Sequence, residues 1–365
     1  MKSIKTKLLF GMIGISLMLA VIIGTVSSFI NYSSTSDTLK QTLTETAKVS
    51  AGQIAAEMKA YENIAINTGM LTRLSNPDIP AKEKMDILNQ YVKEHGFLRA
   101  NLAGVNGASM LDDVDFSQQE FFQQVLNKKE AVVSDPTIST VTGEMVVTVA
   151  APLWKDGKPG TEILGVVIYV ADGMFLSDLV NSIKVGNSGT AYIIDNQGTT
   201  IAYNDKATVL DQYNTQEEAK TDSSLAELAA LEAKMTKGET GYGSYEYGGS
   251  SRVLSYAPIP DSNGWSIAIA AAKDEFFSST FRGIYWVIGL SLLLLAFGAI
   301  FALKLSISIA NPITACVTRL QKVVTGDLKS EVPVVRSEDE IGILAGATKN
   351  WSMAWSRLSV ISVIC

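Results

Sequence analysis

Residues 284–303 read IYWVIGLSLLLLAFGAIFAL and carry no charged side chain. Wound as an α-helix, a stretch of this length covers the hydrocarbon core of a bilayer, which is roughly 30 Å thick. The stretch therefore predicts a membrane-spanning helix that ends at Lys304. Because proline lacks an N–H and fits the first turn of a helix better than its interior, we expect a second helix to begin at Pro312, close to the membrane.

A second uncharged run extends from Leu8 to Ile30. Lys2, Lys5 and Lys7 precede it and the next positive charge is Lys40, so the lysine excess places the N-terminus in the cytoplasm. A cleaved signal peptide is the alternative, but the run is longer than the roughly 7 to 15 apolar residues of a signal-peptide core. We expect an uncleaved anchor, a middle region outside the cell membrane and both termini in the cytoplasm.

Two short heptad patterns follow the second span. The first comprises Ile313, Val317, Leu320 and Val324, and the second comprises Ile341, Leu344, Thr348, Trp351, Trp355 and Leu358. They are separated by Gly326-Asp327-Leu328 and by a connector that contains Val332, Pro333 and Val334. Two short amphipathic helices cannot bury both apolar seams alone, whereas a parallel homodimer would bury them in a four-helix bundle.

The composition excludes several classes of function. The net charge of −7 argues against a nucleic-acid partner, which favours a basic patch. His95 is the only histidine, so a zinc cluster that needs several imidazoles cannot form. Cys316 and Cys365 both follow the second span, so the middle region is not a disulfide scaffold. The sequence has no serine–histidine arrangement and no glycine-rich phosphate loop, and we expect no enzymatic activity, no metal and no cofactor.

The middle region opens with a polar but periodic stretch from Ser33 to about Leu74, which has no proline before Pro77. Its apolar residues recur near heptad spacing and are Leu39, Leu43, Ala47, Ile54, Met58, Tyr61 and Ala65. We expect a stalk helix about 60 Å long, whose apolar stripe could serve as a dimer seam. Packing against the helix's own domain is an equal alternative for the second half of the stripe.

From Phe97 onward, short β-type segments alternate with turns. Residues 143–154 (GEMVVTVAAPLW) and 162–171 (EILGVVIYVA) flank the turn KDGKPG, and residues 250–260 (SSRVLSYAPIP) and 265–273 (WSIAIAAAK) flank the turn DSNG. A further hairpin candidate precedes each pair, at residues 99–111 and 189–204, and a helix is predicted at residues 174–184 between the copies. This internal repeat predicts two tandem antiparallel-sheet modules.

A long helix followed by two PAS-like antiparallel sheets resembles the double Cache domain, an extracellular sensor of bacterial chemoreceptors. The implied fold class is α+β. The segment after the second span resembles a HAMP linker at Pro312, at Gly326-Asp327-Leu328 and at Asp339-Glu340-Ile341-Gly342. Together the two segments make the chain similar to a methyl-accepting chemotaxis protein. That resemblance implies binding of a small molecule outside and signalling inward, with Pro312, Gly326, Asp327, Glu340 and Gly342 as signalling positions.

The predicted boundaries follow from these patterns. Residues 1–7 form the N-terminus, 8–30 the first span, 31–283 the sensor, 284–303 the second span, 304–358 the HAMP-like segment and 359–365 a tail. Within the sensor, residues 33–75 form the stalk helix, 76–184 the membrane-distal module and 185–277 the membrane-proximal module.

The resemblance places the ligand in the distal module, at Phe116, Gln119, Phe121, Phe122, Asp135 and Asp172. Relatives that sense amino acids grip the ligand carboxylate with an arginine. Gln119 stands at that position here, Val133 replaces a tyrosine and Val170 replaces an aspartate. We therefore expect a neutral or cationic small molecule, held by Asp135 and the aromatic wall, rather than a free α-amino acid. Phe121 and Phe122 could equally be core residues.

An aromatic-rich strand is predicted in the second module, with Tyr242, Tyr245, Tyr247 and a nearby Tyr256. Alternating residues on a strand share a face, so Tyr245 and Tyr247 are expected to face together. Half-buried tyrosines with solvated hydroxyls are the alternative, because tyrosine favours strands.

The sequence ends at Cys365, directly after the HAMP-like helices. The methylated hairpin that contacts the chemotaxis kinase in this family does not follow, so we expect a truncated receptor and a kinase complex only if such a domain is restored or is supplied by a partner receptor. The alternatives are a membrane-anchored stand-alone binding protein and the sensor part of another two-component receptor.

Overall fold

The computed structural model describes residues 4–139, 142–327, 331, 335 and 338–361. These residues form two compact units, one from Thr35 to Ser278 and the other from the segments before and after it. Several predicted features lie outside the described part of the chain. They are the connector residues Leu328, Val332, Pro333 and Val334, the tail beyond Ile361 and the side chains of Trp355 and Leu358.

Within the described residues, the chain has ten α-helices and ten β-strands. The helices are α1 (Ile4–Gly69), α2 (Thr72–Ser75), α3 (Ala81–His95), α4 (Glu120–Lys128), α5 (Phe175–Ser182), α6 (Lys206–Leu210), α7 (Thr215–Glu218), α8 (Ala226–Met235), α9 (Lys273–Val324) and α10 (Glu340–Ile361). The strands are β1 (Arg99–Gly104), β2 (Val132–Val133), β3 (Thr137–Ile138), β4 (Met145–Trp154), β5 (Ile163–Asp172), β6 (Thr190–Ile194), β7 (Thr200–Ala202), β8 (Gly241–Tyr247), β9 (Ser250–Pro258) and β10 (Ser266–Ala272).

The distal module is built on an antiparallel sheet with the strand order β1-β5-β4-β2, in which β3 also pairs with β4. β4 and β5 form the predicted hairpin, with Val149 opposite Tyr169. Alternate side chains of β4 face opposite sides of the sheet. Val149 and its neighbours on one side join the main core, and Ala150 on the other side joins a smaller core with Phe122 of α4. Both faces are buried, which explains the nearly continuous apolar sequence of this strand.

The proximal module repeats this arrangement in a second antiparallel sheet with the order β7-β6-β10-β9-β8. β9 and β10 form the predicted hairpin, with Ala257 opposite Ile267. Ile267 faces the main core. Leu254 faces the other way and packs in a separate cluster with Leu231 of α8. The α+β fold class and the two tandem sheet modules are confirmed.

One stripe of α1 supplies the core that both sheets share. Its buried residues are Leu39, Leu43, Ala47, Ala51, Ile54, Met58 and Ala65. They belong to one hydrophobic cluster with Val149 of the distal sheet and Ile267 of the proximal sheet. A sheet must bury its apolar face against another layer, and α1 is that layer for both modules. The hypothesis that this stripe is a dimer seam is therefore wrong, because the chain covers the stripe itself.

The predicted stalk helix ends at Gly69 rather than at residue 75. A Cβ atom at Gly69 would collide with the carbonyl oxygen of Pro152, so only glycine lets the helix end approach β4 this closely. The short helix α2 follows, and its Leu74 is fully buried in the core.

The two smaller hairpin candidates differ in outcome. Residues 189–204 form β6 and β7, with Gly198 in the left-handed conformation at the turn. In the distal module, the residues after Gly107 make only isolated bridges, such as Ser109 with Ala103. The Ser109 hydroxyl and the Asp112 carboxylate both bond to the Asn101 side chain. Such local side-chain bonds compete with a regular ladder.

Two described helices, α1 and α9, are long and apolar enough to cross a membrane by length and composition. Their apolar segments keep large side chains on the surface, with Phe10 72% exposed in α1 and Trp286 76% exposed in α9. Water-soluble surfaces rarely expose so many contiguous apolar groups.

α9 continues through Pro312, so the prediction of a new helix at this residue is wrong. The proline removes one backbone hydrogen bond, the one that would reach the carbonyl of Ser308. A break here would instead leave several backbone N–H and C=O groups without partners within a helix, which costs more than one lost bond. The Thr314 hydroxyl also donates to the Ala310 carbonyl at 2.7 Å, next to the gap.

The predicted break after α9 is confirmed at Gly326. This residue has a φ of 87°, and its N–H bonds to the Val323 carbonyl at 3.1 Å. The N–H of Asp327 bonds to the Lys322 carbonyl at 2.9 Å. These two bonds form a Schellman motif, in which glycine is favoured at the left-handed position.

The predicted start of the second short helix is confirmed as well. α10 begins at Glu340, and the carboxylate of Asp339 accepts hydrogen bonds from the N–H groups of Ile341 at 3.0 Å and Gly342 at 3.3 Å. This is the bonding expected of an N-terminal cap, which satisfies helix donors that have no partner within the helix.

The two HAMP-like helices bury a stripe that differs from most of the predicted seam. The buried residues are Cys316, Arg319 and Val323 of α9 and Ala345, Thr348 and Ser352 of α10. The Arg319 guanidinium donates to the Asp327 carbonyl at 2.9 Å and to the Ser352 hydroxyl at 2.7 Å. In the predicted seam, Val324 is 80% exposed and Trp351 45% exposed. Of the eight seam residues whose side chains are described, four are exposed and only Thr348 is buried.

We expect Leu43→Ala to lower the free energy of unfolding by about 2–5 kcal/mol, because it leaves a cavity in the shared core. Val49→Ala is the matched control on the same helix, where the side chain is 70% exposed, and should change stability by less than about 0.5 kcal/mol. Chemical unfolding of the detergent-solubilised chain, followed by circular dichroism at several protein concentrations, measures both. A loss that appears only at low protein concentration would indicate a seam between chains instead.

Candidate functional site

A cavity of about 590 Å³ lies at the edge of the distal sheet. Its lining residues are Gln119, Glu120, Phe121 and Gln124 near the start of α4, Val132, Ser134, Asp135, Thr137 and Thr148 on and beside the sheet, and Asn196 and Asn263 from the proximal module. A molecule in this cavity would therefore contact both modules.

The chemistry of the wall is polar and acidic. Amides, hydroxyls and the carboxylates of Glu120 and Asp135 surround one aromatic ring, that of Phe121. Among the described residues that line the cavity there is no lysine, arginine or histidine. A ligand carboxylate would meet like charges without a compensating cation, whereas a neutral or cationic group would be favoured.

Three of the predicted site residues, Gln119, Phe121 and Asp135, come together in this cavity. Phe116 packs edge-on against the Phe121 ring, with ring centroids 6.3 Å apart. The exposed Asp172 lies at the end of β5, where its carboxylate accepts the N–H of Met174 at 2.9 Å, and it does not line the cavity.

Phe121 and Phe122 have different surroundings because they are neighbours on a helix. Residues three apart share a helix face, so Phe121 and Gln124 line the cavity. Phe122 and Val125 point into the core behind the helix, where each is at most 1% exposed. Phe122 is therefore a core residue, whereas Phe121 is partly buried, packs against the same core and also lines the cavity.

Asp135 links the two modules. Its Oδ1 accepts a hydrogen bond from the indole N–H of Trp265 at 2.6 Å and from the side-chain amide of Asn263 at 3.2 Å. The same amide reaches the Val133 carbonyl at 3.2 Å. Trp265 is fully buried. No sequence signal points to these contacts, because the partners lie far apart along the chain and the local pattern identifies Asn263 only as a turn residue.

A second, smaller cavity of about 220 Å³ lies in the proximal module. Tyr245 and Tyr247 both line it, so the prediction that they face together is confirmed. Glu232 of α8 also lines it and is 1% exposed. Burial raises the pKa of Glu232 to about 7, and the nearby hydroxyls of Tyr192 and Thr215 offset part of that rise.

Comparison with known proteins identifies similar sequences. The family model described as a Cache domain matches residues 31–280. A probable methyl-accepting chemotaxis protein of Bacillus thuringiensis is 25% identical over 355 residues, which cover 94% of this chain and 50% of the relative. The methyl-accepting chemotaxis protein TlpA of Bacillus subtilis is 28% identical over 245 residues, which cover 65% of this chain and 32% of the relative. The chain thus spans half or less of the length of these two relatives.

Solved structures share the fold. The sensory domain of the Campylobacter jejuni chemoreceptor Tlp3 with isoleucine bound has a TM-score of 0.51 at 16% identity and covers 68% of this chain and 98% of its own. The ligand-binding domain of the Pseudomonas fluorescens chemoreceptor CtaA in complex with L-serine has a TM-score of 0.50 at 20% identity, with 65% and 99% covered. The extracellular domain of the putative histidine kinase mmHK1S-Z2 has a TM-score of 0.50 at 15% identity, with 65% and 98% covered.

Glu232 makes stability depend on pH in a defined direction. Its pKa rises from 4.5 in the unfolded chain to about 7 in the folded chain, so its contribution to stability is fully present below pH 4.5 and is lost as the pH rises to 7. The loss is about 3 kcal/mol.

We expect Glu232→Gln to remove this component and to be more stable than the wild type at pH 8. Glu239→Gln, an exposed control, should leave it unchanged. Unfolding measured across this pH range tests the expectation, and parallel curves for the wild type and the Glu232→Gln variant would contradict it.

Proposed function

Because the chain belongs to the Cache domain family and is homologous to methyl-accepting chemotaxis proteins, we propose that it is a two-pass membrane receptor for a small extracellular molecule. In this proposal residues 8–30 and 284–303 cross the membrane, residues 31–283 lie outside and both termini are cytoplasmic. The two long apolar helices and a similarity that extends over 94% of this chain support it.

The distal cavity is the proposed ligand site, and the observation that carries this proposal is its wall, which both modules supply. Gln119, Phe121 and Asp135 would contact the ligand, with Phe116 holding the Phe121 ring in place. The acidic wall favours a neutral or cationic molecule over a free α-amino acid. Phe122 would support α4 from the core, and Asp172 would take no direct part.

Asp135 is the proposed link between binding and signalling. A ligand donor that bonds to this carboxylate would compete with the Trp265 indole for the same oxygen. A ligand shifts a receptor between two states only by binding one of them more tightly, and the arrangement with the Asp135–Trp265 bond intact would be one of those states. β10 begins directly after Trp265 and ends where α9 begins, at Lys273. A displacement of Trp265 would therefore reach α9 along a single short strand.

The first turn of α9 is fastened to the proximal module. The Glu275 carboxylate accepts hydrogen bonds from the backbone N–H groups of Asn187 at 2.5 Å and Ser188 at 3.0 Å, and from the Ser188 hydroxyl at 2.5 Å. The Ser188 hydroxyl and the Asn187 N–H lower the pKa of this carboxyl. These bonds hold the first turn of α9 against the proximal module.

The segment at residues 304–358 is the proposed HAMP linker, with Pro312, Gly326, Asp327, Glu340 and Gly342 as its signalling positions. The Schellman end of α9 and the capped start of α10 support this proposal, as does the exposure of half of the described seam residues. A parallel homodimer would bury that seam, and a chemotaxis kinase complex is the proposed output when a kinase-contacting domain is joined to the linker or is supplied by a partner receptor.

A second candidate is the sensor part of another two-component receptor. The fold shared with the extracellular domain of a putative histidine kinase favours it. The two candidates share the sensor, the membrane spans and the ligand. They differ only in the type of output domain that follows the linker.

The presence of Gln119, where relatives that sense amino acids have an arginine, leads to a testable prediction. We expect L-serine and L-isoleucine to give no heat attributable to the distal cavity of the wild-type chain in nanodiscs. Gln119→Arg should create measurable binding of L-serine. Its Kd should be at least about tenfold lower than any residual Kd of the wild type, because a charged hydrogen bond contributes about 1.5–3 kcal/mol. Gln118→Arg, an exposed neighbour that does not line the cavity, is the matched control and should give none. Isothermal calorimetry measures all three proteins.

The contrary result is equally specific. Wild-type binding of either amino acid with a Kd below about 10 μM (about −7 kcal/mol), lost in Phe121→Ala, would show that the distal cavity accepts α-amino acids without an arginine.

Pro312 generates a test of transmission. Pro312→Ala restores the missing backbone bond and stiffens α9, so we expect an altered ligand response in a chimera that joins this chain to a known output module, with ligand affinity within about twofold of the wild type. Ser308→Ala, an exposed change one turn earlier, is the control. An unchanged response in Pro312→Ala would argue against a role for the proline in coupling.

A further inference from the structure

The proximal cavity is a pocket separate from the proposed ligand site. It lies on the face of the proximal sheet that α8 covers, away from α1. Its volume of about 220 Å³ exceeds that of an apolar cavity of roughly 150 Å³ that holds benzene. It therefore has room for a molecule slightly larger than a benzene ring.

Glu232 brings a carboxylate into this cavity with only one of its two oxygens hydrogen-bonded. The Tyr192 hydroxyl donates to Oε1 at 2.8 Å. Oε2 is buried and has no hydrogen-bond partner among the described residues, although the Thr215 hydroxyl lies close enough to the carboxyl group to lower its pKa. Buried polar atoms are almost always paired, and an exception needs an explanation. An acceptor held open in a cavity is explained by a donor that arrives with a ligand.

Arg252 of β9 supplies the complementary group. Its side chain lines the same cavity and donates through Nη2 to the Ser188 carbonyl at 3.3 Å. Its Nε is buried and also lacks a partner among the described residues. Arg252 and Glu232 do not form an ion pair with each other in the described part of the chain, so they cannot satisfy one another. The cavity thus presents one open acceptor and one open donor.

The rest of the wall is aromatic and hydroxylic. Tyr203, Tyr213, Tyr245 and Tyr247 contribute rings to the lining, together with threonine hydroxyls. Aromatic faces attract cations, and the attraction grows where water is excluded. A carboxylate among tyrosine rings is suited to an ammonium group. The guanidinium of Arg252 would repel a ligand that is only a cation, and it favours one that also carries an oxygen able to accept its N–H.

We propose that this cavity binds a small ammonium compound that carries an oxygen acceptor at its other end. The ammonium group bonds to Oε2 of Glu232 and lies against the tyrosine rings, and the oxygen accepts from Nε of Arg252. The site is additional to the distal cavity, and it stands whether or not the distal cavity binds a ligand.

Calorimetry on the full chain in nanodiscs tests this site with named probes. Choline carries an ammonium and a hydroxyl, glycine betaine an ammonium and a carboxylate, tetramethylammonium an ammonium alone, and acetate a carboxylate alone. We expect saturable binding of choline or glycine betaine with a Kd below about 1 mM, weaker binding of tetramethylammonium and none of acetate. The preference between the first two identifies the acceptor as a hydroxyl or a carboxylate.

Four variants locate the site. Glu232→Gln should weaken both favoured probes at least about tenfold, as expected for a lost charged bond, and Arg252→Gln should remove their advantage over tetramethylammonium. Tyr247→Leu changes a side chain that is 48% exposed, so it should fold normally and still weaken binding. Glu239→Gln, with the same charge change at an exposed position, should have no effect.

Two results would overturn the proposal. One is the absence of saturable binding of every ammonium probe by a wild-type chain with an intact unfolding transition, which would leave ordered water as the partner of Glu232 and Arg252. The other is binding that survives in Glu232→Gln and Tyr247→Leu but is lost in Phe121→Ala, which would move the probes to the distal cavity and support the proposed function instead.

Discussion

The burial of one stripe of α1 by both sheets is the constraint on which the sensor depends. Each sheet has a second apolar face with its own small cover, α4 in the distal module and α8 in the proximal module. The first face of each sheet is covered by the same helix, and residues from Leu39 to Ala65 join one core with both. Movement of one module relative to the other would therefore expose part of that core or break the bonds at Asp135.

Asp135 both lines the proposed ligand cavity and holds the two modules together, so a ligand that bonds to it can weaken the link between them. It is half-buried, lines a cavity with an acidic wall and accepts two bonds from the proximal module. Both bonds end on Oδ1, so Oδ2 has lone pairs that a ligand could use without breaking either of them, whereas a ligand donor directed at Oδ1 would compete with Trp265. In the proposed mechanism, the energy available for signalling is the difference between the ligand's affinities for the arrangements with and without the Asp135–Trp265 bond. That difference is bounded by one or two hydrogen bonds, a few kcal/mol at most.

The sequence predicted what local patterns determine. β4, β5, β9 and β10 followed from apolar runs bounded by turn residues, and the helix boundaries at Gly326 and Asp339 followed from the two heptad patterns and the resemblance to a HAMP linker. It left open whether the α1 stripe was core or seam, because periodicity shows that a face is buried and not what buries it. The prediction that a new helix begins at Pro312 was wrong because a single lost hydrogen bond is tolerated within a long helix. The Asp135–Trp265 bond could not be foreseen from residues so far apart. Glu232 did carry a signal, since it interrupts the apolar face that Leu228, Leu231 and Met235 form on α8. The sequence alone does not show that this face is covered by the sheet, so it could not identify Glu232 as buried.

Both cavities converge on β10. Trp265, bonded to Asp135 of the distal site, directly precedes the strand, and Ala270 within it lines the proximal cavity. The strand is central in its sheet, between β6 and β9, and it leads straight into α9. A central strand held on both edges moves with its sheet rather than bending alone, so in the proposed mechanism a ligand in either cavity would act on the start of α9 through a shift of β10 together with the proximal sheet. Two ligands that favour the same position of that sheet would each raise the affinity for the other, because coupling between sites is reciprocal.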